Sequence, residues 1–132
     1  MSDPIHHGPN QVRLDTKADW PYWYTVIKTY AQVNNVWHLC DPDSPSRPQG
    51  MTKPVIPDRT FFLNEDDREC KLAAYATSMA DYREERAAFA SVTMKIIESI
   101  DGALLLMLSG IQPHPRDYLR LLTRKLMSGE WS

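Results

Sequence analysis

From Phe61 onward no proline occurs until Pro113 and no glycine until Gly102, so residues 61–101 contain nothing that would break a helix. The segment before it, residues 41–60, reads DPDSPSRPQGMTKPVIPDRT, with five prolines and one glycine. That composition excludes helix and central strand alike and dictates an extended, partly polyproline path. The chain is therefore expected to be all-α. Its outline is a compact helical bundle in which a proline-rich strap separates an N-terminal tryptophan helix pair from a long central helix. Asn64 and Asp67 make a capping pair, and the acids of EDDRE lie in the first turn, where the helix dipole favours them. Leu72, Tyr75, Met79, Tyr82, Phe89, Ile96 and Ile100 recur on helical steps, with Arg86 and Thr93 interrupting the seam, so a bend is expected near YREER.

The other end of the chain is defined by DWPYWYTVIKTYAQVNNVWHLC, residues 19–40. Asp19 suits an N-cap and Pro21 suits the first turn, where its missing N–H costs nothing. Trp20, Trp23, Ile27, Tyr30 and Ala31 then form one apolar stripe, with Tyr22, Tyr24 and Lys28 off it. Asn34-Asn35 is a stop signal, and VWHLC allows a short second helix that folds back on the first. Trp20, Trp23, Ile27 and Trp37 are the expected structural anchors, because each tryptophan buries on the order of 150–250 Å². A box of stacked aromatics for a cofactor would need a glycine-rich or charged partner, and none is present.

With 132 residues and 42% hydrophobic content, one domain with a real core is expected. Residues 1–17 read as a flexible arm, 18–128 as the helical domain and 129–132 as a tail. His6 and His7 lie in the arm without the converging ligand set a metal needs. Cys40 and Cys70 offer neither zinc spacing nor a disulfide framework, which fits a reducing, cytoplasmic setting. Residues 103–108, the longest apolar run, fall far short of the roughly 20 residues of a membrane span. His38 and Cys40, two apart on a helix, point to different faces, and Glu84 and Glu85 diverge, so no catalytic pair forms and no enzyme or cofactor is expected.

Between Gly102 and Gly110, ALLLMLS suits a short, fully buried helix at the centre of a bundle. The last helix carries Tyr118, Leu121, Leu122 and Leu126 on one side. Its bases Arg116, Arg120, Arg124 and Lys125 form the one concentrated positive segment of a chain whose net charge is −2. Those four are the candidate RNA contacts, set against a plain solvated face that complements the helix dipole.

The opening also resembles a family. Leu14, Asp19-Trp20-Pro21, Trp23, Ile27-Lys28, Ala31, Val36-Trp37 and Asp41-Pro42, followed by a proline-rich strap, are similar to the N-terminal region of copia-type retrotransposon Gag proteins, especially the fungal ones. The likeness spans most of residues 14–127 and is most distinctive over the opening thirty. It implies a capsid-forming structural protein whose copies assemble into a virus-like particle around element RNA, with no active site. Gag polyproteins usually carry a second capsid lobe and a basic or zinc-knuckle tail. The absence of C-x₂-C spacing here therefore suggests the capsid portion alone, or a truncated or domesticated Gag. A helical protein–protein adaptor and an RNA-binding helical module are the other classes compatible with these residues.

Overall fold

The computed structural model describes residues 12–45, 49–58 and 62–129 of the chain. Among them are five α-helices and no strand: α1 (Trp20–Val33), α2 (Trp37–Cys40), α3 (Glu65–Glu98), α4 (Gly102–Leu108) and α5 (Pro115–Ser128). The fold is all-α, as the break-free block and the tryptophan stripe predict. The chain divides into two compact units, one formed by the segments up to residue 48 and from residue 88 onward, the other by residues 49–87.

The first unit holds the core. On α1 the buried residues are Trp23, Ile27 and Ala31, one turn apart along a single narrow stripe. The helix stops at Asn34, and Asn35 takes a left-handed conformation with φ of 60°, which asparagine tolerates better than most residues. This reversal brings Val36, Leu39 and Cys40 into the same core and packs α2 against both α1 and α5. From α3 come Val92 and Ile96, followed by Ile100 just beyond its end. Helix α5 starts on His114, whose Nδ1 accepts the Arg116 amide at 3.2 Å, with Pro115 in the first turn. It ends at Gly129, whose φ of 77° closes the helix in the left-handed manner that glycine permits without a Cβ penalty. Tyr118, Leu119 and Leu122 are its buried apolar face, while Leu121 and Leu126 are only partly covered.

Three expectations are corrected in this unit. Residues 12–17 are not a free arm. Leu14 is completely buried, its amide donates to the Ser99 carbonyl at 2.7 Å, and its carbonyl accepts the Asp101 amide at 3.0 Å. Residues 1–11, including His6 and His7, and residues 130–132 lie outside the described part. Asp19 precedes α1, but its carboxylate turns back to accept the Thr16 and Asp15 amides at 2.9 and 3.0 Å, capping the 3₁₀ turn Lys17–Asp19 instead. Those bonds hold its carboxyl below the ordinary carboxylate range. Finally, α4 is not fully buried. Leu104 and Leu108 enter the core one turn apart, whereas Leu106 is 75% exposed and Leu105 borders on exposure. A run of consecutive apolar residues on a surface helix must present some of them outward, since only one stripe can face the core.

In the second unit the described strap residues adopt neither helix nor strand. Helix α3 opens as its capping pair predicts: the Asp67 amide donates to Asn64 Oδ1 at 2.8 Å, and Asp67 Oδ2 accepts the Leu63 amide at 2.9 Å. The latter bond is the main reason the Asp67 carboxyl lies below its usual range, with Lys71 Nζ at 3.0 Å assisting. Leu72, Tyr75, Met79 and Tyr82 are each half-buried, whereas the residues between them are exposed, so this part of the seam is a stripe of partial cover. Glu85 Oε1 accepts the Met51 amide at 2.7 Å, tying the strap to the helix within this unit. The α-helical backbone continues without interruption through YREER, so the charged residues that interrupt the apolar seam do not break α3 there.

Candidate functional site

Two features of the first unit bear on function: the aromatic cluster at the start of the chain and the basic helix at its end. The cluster is built around Trp23, which is completely buried. Its indole Nε1 donates to Ser99 Oγ at 2.8 Å, and Ser99 Oγ in turn donates to the Lys95 carbonyl at 2.6 Å. The one polar atom of the ring is thereby satisfied inside the core, which is what permits full burial of a tryptophan. Ile27 is also buried, whereas Trp20 and Trp37 are partly covered and pack against the core from its edge. Trp20 lies 5.6 Å from Trp23 and 5.2 Å from Tyr24, measured between ring centroids, and Tyr24 meets Trp37 edge-on at 6.0 Å. Tyr24, expected on the exposed side of α1, is therefore part of the stack. Burial, with the nearby Asp43 and Asp41 charges assisting, pushes its hydroxyl up to about 12. Tyr22 and Lys28 do lie off the stripe. Tyr22 is exposed, and Lys28 Nζ rests 5.5 Å from the Trp37 ring centre.

The basic helix is less of a surface than its sequence implies. Arg116 is only 7% exposed, its Nη2 donating to the Ser44 carbonyl at 2.7 Å and its Nη1 to Asp117 at 3.1 Å. Arg120 Nη1 donates to the Pro42 carbonyl at 2.9 Å and stands 3.5 Å from the Ser44 carbonyl. These two bases fasten the start of the strap, residues 42–44, to α5. Both guanidiniums are turned to backbone carbonyls, so Arg116 and Arg120 are not the free bases that the expected RNA contacts would be. Arg124 is exposed and Lys125 half-buried, so the positive surface of this helix reduces to that pair. Sequence reasoning missed the role of Arg116 and Arg120 because a base that grips a carbonyl 72 or 78 residues away is spelled like any solvated base.

An open groove of about 360 Å³ lies on the same unit, lined by Tyr30, Ala90, Ser91, Met94, Lys95 and Glu98. Lys95 Nζ sits 4.8 Å from the Tyr30 ring centre, so its charge is already engaged with an aromatic face. Among the described residues no group of three or more His, Cys, Asp or Glu side chains is placed to hold a metal ion. No helix among them is long and apolar enough to cross a membrane. Cys40 is buried and Cys70 exposed, and neither is in a disulfide.

Comparison with protein-family models, with curated proteins and with solved structures gave no match to this chain.

Proposed function

We propose that the chain is a structural protein that self-associates, in the manner of the capsid region of a copia-type Gag. One observation carries the reading. Leu14, Trp23, Ile27, Ala31 and Val36, through which the opening resembles those proteins, are buried together in one core, with Trp20 and Trp37 packed at its edge and Pro42 buried beside α5. A pattern whose members converge from separate elements specifies a fold, and a rigid fold is what repeated symmetric contacts require. Contacts in such shells are small, and an interface under ~1,200 Å² is typically weak alone. Many such contacts on one particle raise the effective concentration enough to hold it together. RNA packaging would fall to bases that face solvent, Arg124 and Lys125 in this chain.

The test is light scattering of the full chain over a range of concentration and salt, followed by electron microscopy of any large species. Self-association that grows with concentration, ending in regular particles or sheets, is the expected result. The exposed Leu106 supplies the control: Leu106→Glu should leave the melting transition unchanged and weaken association if α4 lies in a contact. A chain that stays monomeric and folded at the highest attainable concentration would favour the adaptor reading.

A further inference from the structure

The first half of α3 carries a seam that is complementary to itself. We propose that this seam pairs antiparallel with the same segment of a second copy of the chain, an inference that deepens the self-association reading and rests on it. Leu72, Tyr75, Met79 and Tyr82 follow the alternating steps of three and four that line up side chains for a partner helix. They are half-buried, and the other positions from 71 to 84 are exposed. The strap does not complete their cover with its own apolar residues, since Met51 is 41%, Ile56 63% and Val55 85% exposed. It is tied to the helix by the bond from the Met51 amide to Glu85 Oε1 at 2.7 Å.

An antiparallel pair in which all of these apolar residues meet one another has a single register. Leu72 lies against Tyr82 of the second copy and Tyr75 against its Met79, and the twofold axis repeats both contacts, so each tyrosine packs on an aliphatic or thioether side chain. Charge identifies the occupant. Antiparallel helices bring together residues on the same flank of the seam, which sets Glu69 opposite the second copy's Arg83 and Lys71 opposite its Glu85, each pair made twice. A parallel pair in register would instead set Lys71 beside Ala76 and Ser78 beside Arg83, matching no opposite charges. Lys71 already bridges to Asp67 at 3.0 Å, and an ammonium with three donors serves both acids. Arg68 and Arg86 occupy the next seam positions, where they oppose one another and end the contact. Arg68 is engaged by Glu65 at 3.1 Å and Arg86 by the Tyr82 ring at 5.9 Å. Association moves the strap aside, and Glu85 exchanges the Met51 amide for the second copy's Lys71. So short a seam falls under ~1,200 Å², the weak class of contact that becomes firm when many copies are gathered on one particle.

Sedimentation equilibrium of the full chain at low salt tests the seam through Glu69→Arg and Arg83→Glu. Both side chains are exposed and lie about 21 Å apart along their own helix, so they do not meet within one chain, and circular dichroism should show both variants folded. Either variant alone sets like charges together at both ends of the pair, and its self-association should weaken roughly tenfold. Mixed in equal amounts, the two variants restore opposite charges between chains, and the mixture should associate as tightly as the unaltered protein. Variants that associate like the unaltered protein, or a mixture no tighter than its components, overturn the seam and leave self-association standing. An unaltered chain that stays monomeric at the highest attainable concentration overturns both, and assigns the stripe to the strap alone.

Discussion

Trp23 and Trp37 have the same standing in the sequence but not in the folded chain, and truncating each to alanine separates the two. Trp23→Ala removes a completely buried indole together with the bond from Nε1 to Ser99. Large aromatic-to-alanine changes in a core cost about 3–5 kcal/mol, with the cavity term included. Ser99 Oγ keeps its bond to the Lys95 carbonyl, so no buried hydroxyl is orphaned and no further penalty applies. Trp37 is only half-buried, and its loss removes an edge-on contact with Tyr24 and a lysine from its face, about 1–2 kcal/mol in all. Against a total stability of about 5–15 kcal/mol, the first change brings the fold near its limit and the second does not. Trp23→Phe, which keeps a ring but drops the donor, should fall between them. Urea unfolding followed by far-ultraviolet circular dichroism, at one low protein concentration so that association does not contribute, gives the order. With a urea slope of about 2 kcal/mol/M, Trp23→Ala should move the midpoint down by roughly 2 M and Trp37→Ala by less than about 1 M. Equal shifts for the two, or an unmoved midpoint for Trp23→Ala, would refute the assignment of the core.

Leu14→Ala should cost about 2–5 kcal/mol in the same assay, because the side chain is fully enclosed; a neutral result would return residues 12–17 to the status of an arm. Iodoacetamide should label exposed Cys70 in the native protein and reach Cys40 only after unfolding, as mass spectrometry would show. Burial pushes the Cys40 thiol up to about 12, so the stability it contributes is present below its unfolded pKa and is lost as pH rises toward 12; rapid native labelling of Cys40 contradicts this. The Asp67 carboxyl lies below 3.8 when folded, so its contribution is present above that value and is lost as pH falls through the folded pKa. Protection of the first-turn amides of α3, taken relative to the intrinsic exchange rate at each pH, should therefore fall in acid, and Asp67→Asn should remove that pH dependence; an NMR titration placing Asp67 at or above 3.8 would contradict it.

Local signals in the sequence are good guides where neighbouring residues decide the outcome. The α1 stripe of Trp23, Ile27 and Ala31, its end at Asn34-Asn35, and the Asn64–Asp67 start of α3 are all read from residues within one or two turns of each other. The errors fall where the deciding partner is remote. Leu14 sits near prolines and glycine in a stretch with no periodicity, and only the backbone of residues 99–101 makes it a core residue. Val92 is missing from the expected seam because that seam extends from residues belonging to the other unit, and Leu119 is hidden by the choice of Leu121 for the apolar side of α5. In ALLLML the period is unreadable, since every position is apolar and only packing selects Leu104 and Leu108.

The bond from Arg13 to the Ile100 carbonyl, 87 residues apart in sequence, has a consequence for how the chain is made. Closing so long a loop rather than one of about twenty residues costs only about 1 kcal/mol more, so equilibrium stability hardly registers it. Timing does. On a ribosome adding about 5–20 residues per second, some 5–20 s separate the synthesis of Trp23 from that of Leu122. For that interval Leu14, Trp23 and Ile27 have no core to enter, while the break-free segment of α3 can already wind up from local bonds alone. Helix α1 is thus among the last described elements to become secure. A message truncated before Leu122 would yield a nascent product with its tryptophans uncovered, a natural target for chaperones and proteases.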